Sequence, residues 1–236
     1  MKHIPRFYVE ANFAKDDDVI LSVDQMHHAN RVLRFTTGDV VRIFNSWDGE
    51  WDCTITSLKQ RTVRCISQLR GRINGKEERG AIIACALINP KRFDFFLEKA
   101  TELGAREIIP IMSTYVQHCD FNLRKALRKV TQAGEQSNRL SIPSLRNVMN
   151  LEDLLQNYSP SYKILVGDEG FSSPNLGSVL EEKCVFLVGP EGGFSNEEHN
   201  LFEKFSGIKK FSSGKNILRS ETAAAAFLAI WNDKFM

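Results

Sequence analysis

Residues 81–88 read AIIACALI, an apolar run with no polar interruption. It is far short of the ~20 residues of a membrane span, and it lacks the polar alternation of a half-exposed strand. It fits a strand covered on both faces, as in a parallel sheet. The chain downstream agrees. KRFDFFLEKATELG (91–104) places Phe93, Phe96, Leu97, Ala100 and Leu103 on one helical face, with Gly104 as a left-handed stop. EIIPIM (107–112) returns as a strand, and NLRKALRKVTQAGEQ (122–136) sets Leu123, Ala126, Leu127, Val130 and Ala133 on one stripe. Strands follow at KILVGD (163–168), CVFLVG (184–189) and KKFSS (209–213), and a small apolar helix closes the chain. Alternating strands and helices predict an α/β fold with a parallel sheet and crossover helices.

Before residue 71 the pattern is different. VILSV (19–23), DVVRIFN (39–45), WDCTITSL (51–58) and TVRCISQL (62–69) are short, β-rich and separated by turn residues, which suggests a small β-barrel. HHANRVLR (27–34) has helical spacing instead. GRINGKEERG (71–80) is charged and glycine-rich and reads as a linker. The expected division is a domain over 1–72, a connector over 73–80 and a second domain over 81–236. A hydrophobic fraction of 42% supports packed cores rather than disorder.

Charge and cysteine limit the class. Net charge is only +2, but 59–79 holds seven basic residues against two acidic ones, and Arg124, Lys125, Arg128 and Lys129 form a second cluster. Such patches suit a polyanionic partner or a solvated face, and charge alone does not choose. Cys53, Cys65, Cys85, Cys119 and Cys184 are scattered without a CxxC pair, so neither a disulfide framework nor a zinc site is expected. The start, MKHIPRFYVEANF, lacks the apolar centre of a secretory signal, and a cytoplasmic protein is expected.

Two strand exits carry the chemistry. LVGPEGGFS (187–195) leaves an apolar strand through three glycines and a proline around one carboxylate. Ligands of parallel sheets bind at the carboxyl ends of strands, where glycines allow close approach to the backbone. SSGKNILRSETAAAAF (212–227) also leaves a strand past a glycine and enters the final helix, with Ser220 placed to cap it and Glu221 at its positive end. Together the two exits could form one pocket, with Arg219 and Glu221 at its rim. Tight turns and a surface ion pair are the plainer alternatives. Neither stretch matches a dinucleotide fingerprint or a Walker loop, which disfavours a nucleotide-dependent oxidoreductase. Adjacent His27 and His28 make a poor metal pair and read as structural.

LVGPEGGFSNEE followed by SGKNILRSETA, with FDFFLEKATELGAREIIPI and AGEQSNRLSIP in order before them, resembles the ribosomal small-subunit RNA uridine-N3 methyltransferases of the knotted SPOUT class. HHANRVLRFTTGD and its flanking strands resemble that family's PUA-like RNA-binding domain. The resemblance spans nearly the whole chain. It implies a parallel sheet ending in a trefoil knot, S-adenosyl-L-methionine as cofactor, ribosomal RNA or the small ribosomal subunit as partner, a homodimer, and no metal. It further implies a cofactor site of Leu187, Gly189, Glu191, Gly192 and Gly193 on one side and Ser212, Gly214, Ile217 and Leu218 on the other. Arg219 would stabilise charge on the pyrimidine, and Glu221 would orient it or accept a proton. Arg6, Arg31, Arg34, Gln136 and Arg139 would contact RNA. The chain departs from the family at Ser213, Lys215 and Ser220, and it carries Thr114 and Tyr115 where a Glu-Arg pair is usual. A non-catalytic RNA-binding or ribosome-assembly factor on the same fold is the alternative, and a cysteine-nucleophile methyltransferase is weaker still.

Overall fold

The computed structural model describes residues 4–71, 80–117, 120–167, 176–212 and 215–236. The chain forms two compact units, one of residues 1–78 with 134–142 and one of 79–133 with 143–236. Apart from Gly80, the expected 73–80 connector lies outside the described residues, as do Cys119, Ser213 and Gly214.

The N-terminal unit is built on β1 (Arg6–Tyr8), β2 (Asp18–Ile20), β3 (Val40–Asn45), β4 (Gly49–Ser57) and β5 (Thr62–Arg70). They run in the order β1-β3-β4-β5-β2, with β1 parallel to β3 and the other pairs antiparallel. Because the path ends at β1 and β2, the expected barrel takes the form of a curled half-barrel. Phe7, Val41, Ile43, Ile55 and Val63 fill its inner face together with Met26 and Ala29. Those last two come from α1 (Val23–His27), started by a Ser22–Gln25 capping box, and from the turn of π-helix that continues it over His28–Val32.

The return segment 134–142 is clasped onto this unit by Arg6. Its guanidinium is 7% exposed and donates to Glu50 Oε1 at 2.5 Å and to the carbonyls of Glu135 at 3.0 Å and Arg139 at 2.7 Å. Glu50 also accepts from Arg70 at 2.7 Å, and Arg70 reaches the Asn138 carbonyl at 3.2 Å. Burial alone would raise the Glu50 carboxyl, but the hydrogen bonds from Arg70 and Arg6 outweigh it and hold the group below the usual carboxylate range.

The C-terminal unit carries a sheet in the order β12-β10-β11-β6-β7-β8, with β9 also beside β7, and every pairing is parallel. Its members are β6 (Ile82–Ala86), β7 (Glu107–Met112), β8 (Ser144–Leu145), β9 (Met149–Asn150), β10 (Lys163–Gly167), β11 (Cys184–Val188) and β12 (Ile208–Phe211). One face, including Ile82, Ile109, Ile164, Val185 and Leu187, packs on α4 (Leu151–Tyr158) and α6 (Asn196–Glu203) through Leu154, Leu155 and Phe202. On the other face lies α7 (Ser220–Phe235), whose Phe227 stacks on Phe186 and meets Phe211 edge-on, with centroids at 5.5 and 4.5 Å. α7 also packs on α2 (Pro90–Glu102), and Asn232 Nδ2 donates to the Leu103 carbonyl at that helix's end. Gly104 takes the left-handed conformation expected of it, with φ 80°. In α3 (Leu123–Gln136) Ala126, Val130 and Ala133 are buried, but Leu127 is exposed, so the apolar stripe is narrower than its periodicity suggested. α5 (Leu176–Val179) is a single turn.

Glu50→Gln would leave Arg6 buried beside a neutral group and should cost about 3–5 kcal/mol in urea unfolding at neutral pH. A carboxylate with a lowered folded pKa contributes its stability above its unfolded value, near 4.3, and loses it as pH falls through the folded value. The gap between wild type and variant should therefore close on acidification below about pH 4.

Candidate active site

In the sheet, the chain leaves β6 toward β7 on one side, whereas β11 leads past β10 to β12 on the other. The crevice between the carboxyl ends of β6 and β11 is thus a topological switch point, the place where open parallel sheets bind ligands. A cavity of about 480 Å³ lies beside it, at the carboxyl ends of β10, β11 and β12, with Arg92 reaching in from the β6 side. Four strand exits wall it: Arg92 after β6, Gly167 ending β10, Val188 at the end of β11 with Gly189, Pro190, Glu191, Gly193 and Phe194 after it, and Ser212 with Lys215–Arg219 after β12.

Local sequence explains how each exit is held. Asn89 caps α2 through the Lys91 N–H and Pro90 opens it, which sets Arg92 in the first turn. Ser195 and Glu198 form a reciprocal capping box at the start of α6, fixing the far end of the glycine loop. A Cβ at Gly189 would stand 3.0 Å from the Phe194 ring, so a side chain there would have to push the ring aside. Gly193 has φ 70°, in the region that favours glycine. Ser220 was expected to cap α7, but the N-cap is Arg219, without a side-chain cap bond. Ser220 Oγ instead donates to the Gly189 carbonyl at 2.7 Å and ties the two glycine-bearing exits together.

Of the residues expected at the cofactor site, Gly189, Glu191, Gly193, Ser212, Ile217 and Leu218 line the cavity, and so does Arg219. Ile217 is 70% exposed, an apolar side chain left open on the wall. Gly214 lies outside the described residues. Leu187 and Gly192 are not among the residues that line the cavity. The Leu187 side chain is sealed into the sheet core toward α4 and α6, because alternation along β11 turns Phe186 and Leu187 to opposite faces. Gly192 lines a separate groove with Tyr115 instead of the cavity.

Arg92 is the residue that sequence reasoning missed. Its Nη1 lies 3.3 Å from Glu191 Oε1 and its Nε 3.9 Å from Glu221 Oε1. Glu221, 8% exposed, therefore has Arg92 as its cation, and its Oε2 is buried with no hydrogen-bond partner among the described residues. Helical spacing had accounted for the neighbours of Arg92 as core, which left a cation in the first turn without a reason. His199 was also missed. It lines the cavity, packs edge-on to Phe194 and Phe202, and leaves a buried Nδ1 without a partner among the described residues.

The residues expected to contact RNA fall in the N-terminal unit. The Arg6 side chain is buried in the clasp, where Nε, Nη1 and Nη2 each donate a hydrogen bond within the unit. Arg139 is buried, with Nη2 donating to Ser141 Oγ, and Gln136 is exposed on a cleft with Arg42 and Asn138. Arg31 and Arg34 are both exposed, yet they do not share a helical face: the π turn ends at Val32 and Arg34 has φ 60°. The His28 ring meets Phe7 edge-on, in keeping with a structural role. Among the described residues no His, Cys, Asp and Glu cluster suits a metal ion. Cys53, Cys65, Cys85 and Cys184 are free and buried. Burial pushes the Cys85 thiol well up and the Cys184 thiol to about 12, so neither supplies a thiolate nucleophile.

A family model described as the RNA methyltransferase domain matches residues 76–232, and one described as the RNA methyltransferase PUA domain matches 21–66. The chain belongs to the RNA methyltransferase family. Ribosomal RNA small subunit methyltransferase E of Rickettsia conorii is 30% identical to this family member over 232 residues, 95% of this chain and 93% of its own. The solved Neisseria gonorrhoeae ribosomal RNA small subunit methyltransferase E, bound to S-adenosyl methionine, superposes with a TM-score of 0.83 at 25% identity, covering 99% of this chain and 100% of its own. A Legionella pneumophila chain with the bound cofactor SAM gives 0.85 at 25% identity over 98% of both chains. The fold of this RNA methyltransferase is accordingly of the SPOUT type with a PUA domain. The expected trefoil knot is not described, because residues 168–175 and 213–214 lie outside the described residues. No helix among the described residues is long and apolar enough to cross a membrane.

Ser220→Ala would remove the bond that links the two exits. It should lower stability by about 0.5–1.5 kcal/mol in chemical unfolding and loosen the cavity, seen as faster hydrogen exchange in 189–193.

Proposed function

We propose that this protein methylates N3 of one uridine in small-subunit ribosomal RNA, using S-adenosyl-L-methionine. The observation that carries the reading is the cavity beside the switch point, walled by both glycine-bearing exits and rimmed by guanidinium groups. Its volume suits a small cofactor, and its lining mixes apolar side chains (Val188, Phe194, Ile217, Leu218) with open backbone at Gly189 and Gly193. The unpartnered His199 Nδ1 on its wall is the kind of buried polar atom that a bound ligand would satisfy. Glu191, with Glu221 behind Arg92, places carboxylates beside a bound cation.

When bound, the cofactor supplies a methyl group on a sulfonium centre. The chain's own residues must then hold the pyrimidine in line, exclude water and stabilise the charge left when the N3 proton departs. Arg219, exposed at the cavity edge and fixed by its place at the N-cap of α7, is suited to face the pyrimidine carbonyls. Arg92 brings a second guanidinium to the same rim, and Glu221 orients it. Arg31 and Arg34 remain exposed for phosphate contact. The reading includes a cytoplasmic homodimer, with the exposed Ile230 on α7 and Phe95 on α2 as apolar surface available to a second copy.

N3 methylation blocks the Watson-Crick edge. Reverse transcription of small-subunit RNA treated with the protein and cofactor should therefore stop at one site, and RNA treated without the protein should read through. Arg219→Ala should lower that product by about 10²-fold or more while leaving cofactor-induced thermal stabilisation in place. Full methylation by the variant would refute the assigned role. Sedimentation at micromolar concentration should give twice the chain mass.

A further inference from the structure

Beside the cavity is a second concave site that the reaction as described does not use. It is a groove of about 460 Å³ lined by Thr114, Tyr115, Val116, Gln117 and Gly192. The loop after β11 is common to both: Gly189, Pro190, Glu191 and Gly193 line the cavity, and Gly192 lines the groove. The wall between them is thus a few residues thick.

The groove is built to hold one ring still. Residues 113–116 make a tight turn at the end of β7, closed by the Val116 N–H on the Ser113 carbonyl at 3.2 Å. That turn is pinned to the start of α6. Thr114 N–H donates to Glu198 Oε1 at 2.9 Å, and Thr114 Oγ1 lies 3.4 Å from Ser195 Oγ. Glu198 is itself fixed by the capping box. At the apex Tyr115 lies against the Gly192 backbone, where an added Cβ would meet its Cβ at 3.1 Å and its ring at 3.5 Å. Glycine at 192 is what lets the ring settle there. Even so, Tyr115 is 49% exposed, a large apolar surface left open among the described residues.

We propose that Tyr115 is a stacking platform for a nucleobase of the RNA substrate, seated in this groove next to the methyl-transfer cavity. A nucleobase is the occupant favoured by the chemistry. An aromatic face held open on a rigid turn suits an unstacked base, and the exposed Gln117 amide can both donate to and accept from a base edge. The adjoining cavity rim carries the cations Arg92, Lys215 and Arg219, and although Arg92 is paired with Glu191 and the buried Glu221, Lys215 and Arg219 are exposed and complement the phosphates flanking such a base. The proposal rests on the RNA methyltransferase reading and adds to it a residue that positions the substrate without touching the reacting atoms.

The test compares wild type, Tyr115→Ala, Tyr115→Phe and Tyr115→Leu as full-length proteins on small-subunit ribosomal RNA, with separate titrations of RNA and of cofactor. Stacking predicts that Tyr115→Ala weakens RNA binding by about 5- to 150-fold, and that KM for RNA rises with it. Phe should retain most of the affinity and Leu should not, while cofactor affinity and melting temperature stay at wild-type values in all three. Gly192→Ala, which crowds the ring, should also weaken RNA binding without removing the tyrosine. Equal RNA affinity in Tyr115→Ala and wild type would overturn the proposal. So would a parallel loss of cofactor binding, or equivalence of Leu and Phe, because either would mean that the ring only packs the loop. If wild type itself neither bound nor methylated the RNA, the functional reading would fall and this proposal with it, an outcome distinct from an active wild type with an indifferent Tyr115→Ala.

Discussion

The ring of Phe227 meets three strands at once: it stacks on Phe186 in the middle of β11, stands edge-on to Phe211 at the end of β12, and lies 3.4 Å from where a Cβ of Gly167 would sit at the end of β10. Nearly all else at the site follows from that contact. With Phe227 seated, the first turn of α7 can reach only one place, and Ser220 there bonds the Gly189 carbonyl. Arg219 is then at the cavity edge, and Glu221 is buried beside Arg92. Aromatic pairs of this kind add about 0.5–1.5 kcal/mol each to the burial itself. Here the geometry matters more than the energy, because it registers a helix against three strands.

The electrostatics of the cavity are uneven for a reason. Glu221 is buried and Glu191 exposed, and one guanidinium serves both. An exposed pair such as Arg92 with Glu191 is worth little on its own. Its effect is to keep Arg92 between two carboxylates, so that a cation and two anions stay close without collapsing into one closed pair. A site that must accept a cationic donor beside a substrate that turns anionic needs both signs within reach.

Much of this was legible in the sequence, and the failures have physical causes. AIIACALI, EIIPIM and CVFLVG became parallel strands with little change of boundary, because short continuous apolar runs between turn residues suit a strand covered on both faces. The two glycine-bearing exits were legible for the same local reason. Side-chain direction was not. Phe186 and Leu187 are equally apolar, and only the packing of helices on both faces tells which way each turns. Arg92 pairs with Glu191 and Glu221 across about a hundred residues of chain, and no periodicity reports such a pair. Arg6 was expected at the RNA only because the family resemblance placed it there. Its actual partners include two carbonyls, which carry no side-chain signal at all.

The clasp around Arg6 also sets an order of assembly. The half-barrel strands end at Arg70, but the carbonyls of Glu135 and Arg139 that receive the buried guanidinium come more than sixty residues later. During synthesis the N-terminal unit therefore emerges first and is completed late. Until about residue 142 has left the ribosome's exit tunnel, Arg6 lacks two of its acceptors and has the Glu50 carboxylate alone, so the clasp of the nascent half-barrel waits for a strip of chain from beyond the start of the following sheet.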